Sequence, residues 1–214
     1  NLIVFSSGGK IEKFCESNKI DYRKIKQFIS PRASTVSFVY SMLKILKNVI
    51  PINKENIIES IESLEKLNIQ ISSNNMTDSN QALKLAKEIT EIPLIYYPWG
   101  LQAAAIRFKN SLQENAKMHA ITEDVIEACH NGIVSWDVPS NIKPILIQGN
   151  NDYIKTKERW NILKEFFTVK NIEYKEIHSE KGGVLTKLIN LIYFMDYASI
   201  YRAVLSKVDP TPVK

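Results

Sequence analysis

Arg107 and Glu114 stand seven positions apart in a helical stretch, so they share one face two turns apart. His130 follows at the end of the next short segment. Carboxylate and imidazole are the usual general acids and bases, and imidazole can give and take a proton near neutral pH. Periodicity alone favours a solvated charged face for this helix, and Lys109 and Lys117 suit that view. Cys129 adjoins His130, but neighbouring residues on a helix point apart, which argues against a Cys/His nucleophile. A second chemical feature is the loop Ser6-Ser7-Gly8-Gly9, small, hydroxylated and followed by a helix. Such a loop can offer backbone N–H groups to a phosphate, although most Ser-Gly turns after strands are only turns.

The elements that must position these groups are legible from periodicity. Leu2 to Phe5 is a short apolar run of β formers, and residues 10–18 form a short helix. Pro31 opens a helical stretch with Val36, Val39, Tyr40, Leu43 and Leu46 at helical spacing, and Asn53 can cap a further helix. The polar stretch 72–80 breaks the pattern and marks a domain boundary, giving domains 1–72 and 73–214. Helix and strand then alternate: helix 81–89, strand 92–97, and helix 101–117 with the core stripe Leu101, Ala105, Phe108 and Leu112. Thr122 is expected to cap a short helix through Cys129, with Glu123 and Asp124 in its first turn. Strand 145–148, helix 155–169, strand 172–177 and helix 185–205 complete the chain. The alternation argues for the α/β class, with parallel sheets flanked by helices. Ligands in such sheets bind beyond the carboxyl ends of strands. That singles out Ser6-Ser7-Gly8-Gly9, Tyr97-Pro98-Trp99-Gly100 and Gly149-Asn150-Asn151-Asp152.

Composition excludes several classes. With 44% hydrophobic and 24% charged residues over 214 positions the chain is an ordinary globular sequence. The net charge of +5 is scattered, with no basic patch interleaved with aromatics, so nucleic acid is not an expected partner. Cys15 and Cys129 form neither a disulfide framework nor a zinc pattern, which points to a reduced, cytoplasmic setting and no metal. The most apolar long segment carries Lys187, Asp196 and Arg202, so no membrane span is expected. Asn1 leads straight into an apolar strand, from which we expect preceding residues.

Taken together, Ile106-Arg107-Phe108-Lys109, Gln113-Glu114-Asn115-Ala116-Lys117 and His130-Asn131-Gly132-Ile133-Val134-Ser135-Trp136 resemble the bifunctional phosphoglucose/phosphomannose isomerases of the sugar-isomerase (SIS) superfamily. Their pattern runs approximately R-[WF]-K, N-E-N-[AS]-K, H-N-E-I-V-G-W. Ser6-Ser7-Gly8-Gly9, Pro31-Arg32-Ala33-Ser34 and Val208-Asp209-Pro210 match in the same order, so the similarity extends over nearly the whole chain.

The resemblance implies two SIS subdomains, the first incomplete, and a homodimer in which the neighbouring subunit contributes the histidine. It implies interconversion of glucose 6-phosphate, and mannose 6-phosphate, with fructose 6-phosphate, without metal or nucleotide. Glu114 would move the proton between C1 and C2, His130 would assist ring opening, and Arg32 would stabilise the enediolate and orient the base. Ser6, Ser7, Gly8, Arg107, Asn131 and Thr211 would contact the substrate. The alternative is a SIS module that binds a sugar phosphate without turning it over. Gln113 and Gly132 depart from the pattern, which has Asn and Glu there. The family's phosphate loop, of the type S-x-S-G-N-T, would precede Asn1, and its functional lysine would follow Lys214.

Overall fold

The computed structural model describes residues 2–26, 28 and 30–212, and it divides into two compact units, Asn1–Lys54 and Glu55–Lys214.

In the first unit the β formers Ile3, Val4 and Phe5 build strand β1 (Ile3–Ser6), which turns through the glycines into helix α1 (Lys10–Ser17). Gly8 and Gly9 hold φ of 134° and 84°, a region that side chains avoid. Strand β2 (Asp21–Lys24) then pairs parallel to β1 in the register Ile3 to Asp21. Nothing in Asp21-Tyr22-Arg23-Lys24 reads as a strand by itself. Pairing creates it, and the Tyr22 hydroxyl donates to the Ser6 carbonyl at 2.9 Å. Pro31 opens a 3-10 turn (Pro31–Ser34) that runs into α2 (Thr35–Leu46).

The second unit is a four-stranded parallel sheet with helices on both faces. Its strands β3 (Ile92–Tyr97), β4 (Ile121–Asp124), β5 (Ile142–Gln148) and β6 (Lys175–His178) lie in the order β4-β3-β5-β6. The side-chain period of two sends alternate residues to opposite cores. Ile95, Tyr97, Ile145 and Ile147 face one core, which is completed by α4 (Gln81–Glu88), α5 (Gln102–Asn115) and α8 (Val184–Leu205). Tyr96 and Leu146 face the other, completed by α6 (Val125–His130) and α7 (Ile154–Val169). Burial on both faces is why β3 and β5 read as nearly unbroken apolar runs. The expected α/β class with parallel sheets flanked by helices is what the structure shows.

Three expectations shift. Helix α3 (Lys54–Ile71) packs with the second unit, so the compact units divide after Lys54, not within 72–80. Ile71 joins that unit's core with Leu67 packed against it, and hydrogen bonds add to the tie: the Tyr201 hydroxyl donates to the Ile71 carbonyl at 2.6 Å and the Tyr193 hydroxyl to Asn68 Oδ1 at 2.8 Å. Thr122 is not a helix cap. It sits in β4 opposite Ile95, and the cap is Asp124, whose carboxylate accepts from the Ile126 N–H at 2.8 Å. A β-branched residue beside a ready strand gains more from the ladder than from capping. Finally, α5 stops at Asn115, because Lys117 takes a left-handed φ of 55°. No helix among the described residues is long and apolar enough to cross a membrane.

Candidate functional site

The stripe Leu101, Ala105, Phe108 and Leu112 is buried, which turns the opposite face of α5 outward and leaves Glu114 exposed in its last turn. Arg107 lies between these faces. Its Nε donates to Asp196 Oδ1 at 3.1 Å and a terminal nitrogen to Oδ2 at 2.9 Å. The Ser111 hydroxyl donates to the same carboxylate at 2.5 Å. One turn on, Asn115 Nδ2 donates to Ser199 Oγ at 2.8 Å. The guanidinium fork thus closes on α8, and Arg107 helps set the position of the helix whose last turn carries Glu114.

The end of α5 also receives the chain's C-terminal segment. Lys117 Nζ donates to the Glu114 carbonyl and, at 2.9 Å, to the Pro212 carbonyl. Thr211, beside Pro212, donates its N–H to Asp209 Oδ1 at 2.8 Å. Hydrogen bonds from the Thr211 backbone and side chain hold the Asp209 carboxyl below its ordinary range. Segments about a hundred residues apart, around Glu114 and around Thr211, therefore meet.

His130 ends α6 and is exposed, with Asn131 as the following cap residue. The Asn131 N–H donates to the Glu127 carbonyl at 2.8 Å. Among the described residues no hydrogen bond or ion pair joins His130 to Glu114. Trp136 fixes the loop beyond: Nε1 donates to the Tyr96 hydroxyl at 3.0 Å, and the indole meets Phe167 edge-on at 5.3 Å. Burial pushes the Cys129 thiol above its ordinary range, which keeps it protonated and disfavours it as a nucleophile.

Glu123, expected in the first turn of a short helix, lies in β4 instead. Its two carboxylate oxygens lie 2.7 Å from where a side chain at position 132 would begin, so Gly132 leaves the room that Glu123 fills. Burial first, then Glu127 and Asp124, push its carboxyl above the ordinary carboxylate range. A raised pKa means that the fold favours the neutral form. That stability is fully present below the unfolded value and is lost as pH rises through the folded one. Glu123→Gln is therefore expected to raise the melting temperature at pH 7 and leave it unchanged below pH 4. Equal melting of both proteins at pH 7 would contradict this.

Ser6, Ser7, Gly8 and Arg32 belong to the first unit. The Gly8 N–H donates to Ser6 Oγ at 3.3 Å, which closes the turn on itself, and Ser7 is exposed. Arg32 sits in the 3-10 turn, where its carbonyl accepts from the Thr35 hydroxyl at 2.9 Å. The other site residues, Arg107, Glu114, His130, Asn131 and Thr211, belong to the second unit. Among the described residues no cluster of three or more His, Cys, Asp or Glu could hold a metal ion.

The family described as the bacterial phospho-glucose isomerase C-terminal SIS domain matches residues 78–214. The chain belongs to this family. A bifunctional phosphoglucose/phosphomannose isomerase from Caldicellulosiruptor bescii is 28% identical over 100% of this chain and 65% of that protein. One from Aquifex aeolicus is 23% identical over 99% and 64%. The chain thus spans slightly less than two thirds of these relatives. Among solved structures, a glucose-6-phosphate isomerase-like protein from Thermus thermophilus aligns with a TM-score of 0.69 at 15% identity, over 97% of this chain and 73% of that one. The tagatose-6-phosphate ketose/aldose isomerase from Escherichia coli gives 0.69 at 13% identity, over 99% and 62%. These two likenesses carry the α/β fold alone.

Proposed function

We propose that the protein is an aldose–ketose isomerase interconverting glucose 6-phosphate, and mannose 6-phosphate, with fructose 6-phosphate. Membership of the isomerase family over residues 78–214 supports this function, and Glu114 and His130 fall within that span. The bond from Lys117, at the end of α5, to the Pro212 carbonyl beside Thr211 supports it further.

In this chemistry the ring opens first, with His130 passing a proton between the ring oxygen and the anomeric hydroxyl. The Glu114 carboxylate then takes the proton from C2 of the open aldose, leaving a cis-enediolate with its charge on O1. As the hydroxyl proton passes from O2 to O1, Glu114 returns its proton to C1 and C2 becomes the ketone. Arg32 stabilises the developing oxyanion, an electrostatic contribution that is often the largest in such reactions. Ser6, Ser7, Gly8, Asn131 and Thr211 contact the substrate. Arg107 acts at least in part through Asp196. The family resemblance implies a homodimer whose sites take the histidine from the neighbouring subunit. The setting is the cytoplasm, in glycolysis and gluconeogenesis.

A second function is favoured by one observation. Gly132 lacks the carboxylate of the family pattern beside the histidine, as expected of a module that binds sugar phosphate without turning it over. A coupled assay of the full-length protein, with no added metal, decides between them. Steady conversion of glucose 6-phosphate to fructose 6-phosphate is expected. Saturable binding without turnover would overturn the isomerase in favour of the module.

A further inference from the structure

The chain leaves β3 toward β4 on one side of the sheet and leaves β5 toward β6 on the other. Open parallel sheets form a crevice beyond the carboxyl ends of the two strands where the direction reverses. Here those strands are β3 and β5. A cavity of about 310 Å³ lies between the loops Tyr97-Pro98-Trp99-Gly100 and Gly149-Asn150-Asn151-Asp152, a volume within the range of small-molecule sites. Both loops stood out in the sequence, yet neither carries a residue of the proposed isomerisation. Glu114 is at the far end of α5, about 20 Å away along the helix.

The lining says what would fit. Lys187 enters from the first turn of α8, half-buried, and has no ion-pair partner among the described residues. Thr156 adds a hydroxyl from α7. The acidic lining residue, Asp152, is already engaged: its Oδ2 accepts from the Gly149 N–H at 2.9 Å and from Trp160 Nε1 at 3.2 Å. The crevice therefore presents one uncommitted cation, and the amino ends of α5, α7 and α8 at its rim add to the positive potential. Trp99 and Tyr153, 88% and 70% exposed, flank it. Rings left this open combine a flat apolar surface with a polar edge, which suits the C–H face of a sugar ring.

We propose that this crevice is a second ligand site, taking a phosphorylated sugar with its phosphate on Lys187 and Thr156 and its ring against Trp99 and Tyr153. Labelling the full chain with 5-fluorotryptophan tests it. The three tryptophans give three fluorine resonances, and Trp99→Phe identifies the one from Trp99. Glucose 6-phosphate is expected to shift that resonance saturably, inorganic phosphate more weakly, and glucose not at all. Lys187→Gln should raise the midpoint at least tenfold, with Lys187→Arg restoring most of the affinity. Glu114→Gln should leave the titration unchanged, so loss of turnover and loss of this site are read separately. A Trp99 resonance that glucose 6-phosphate does not move would overturn the site, and so would a Lys187→Gln titration matching wild type. A response to glucose equal to that for its phosphate would overturn the role of Lys187. Inorganic phosphate binding as tightly as glucose 6-phosphate would overturn the role of the rings.

Discussion

Glu114→Gln is expected to lower kcat for glucose 6-phosphate isomerisation by about 10²–10⁴-fold in the full-length protein, with little change in sugar-phosphate binding. The amide keeps the shape of the side chain but removes its charge and with it the ability to accept a proton from carbon. Glu114 is exposed at the end of a helix whose opposite face is buried, so the change has little packing to disturb. Steady-state rates in both directions, with binding measured by calorimetry, check this. Turnover at the wild-type rate would remove Glu114 as the base. A fall in kcat matched by a collapse in binding would mean that Glu114 holds the substrate and does not deprotonate it.

The largest expected loss of stability follows Asp196→Ala. The carboxylate receives two bonds from Arg107 and one from Ser111. Breaking a fully buried pair costs about 3–5 kcal/mol, because the remaining charge is stranded. Here the two side chains are 21% and 24% exposed, so water screens part of that loss. A cost of about 1–3 kcal/mol is expected, a fall in melting temperature on the order of 5 °C for a unit of this size. Calorimetry measures it directly. The double change Arg107→Met with Asp196→Leu should recover much of the loss, since it leaves no charge behind. An unchanged melting temperature accompanied by a raised KM would instead assign Arg107 to the substrate alone.

What the sequence made legible follows from which interactions are local. Strands β3 and β5 are buried on both faces, so their apolar runs announce them. Strand β2 has no such run and exists through its pairing with β1. Thr122 reads as a cap for the same reason, since local spacing carries no sign of its remote neighbour Ile95. At the site, helical spacing gave the buried stripe of α5 correctly but could say of Glu114 only that it faces solvent. Its proposed role came from the order of motifs. The partners that fix the surroundings are remote: Asp196 is 89 positions from Arg107, and Pro212 is 95 from Lys117. One clue was available, because an aspartate inside the long apolar helix α8 needs a cation opposite it. Glu123 left no comparable trace.

The fit of Glu123 against Gly132 couples two positions that any mutational path must treat together. The room between them holds one carboxylate. A glutamate placed at 132 would push the Glu123 carboxylate aside and set two like charges side by side, so its cost depends on what stands at 123. The effects of changes at 123 and 132 are therefore expected to be non-additive, as for residues in contact generally.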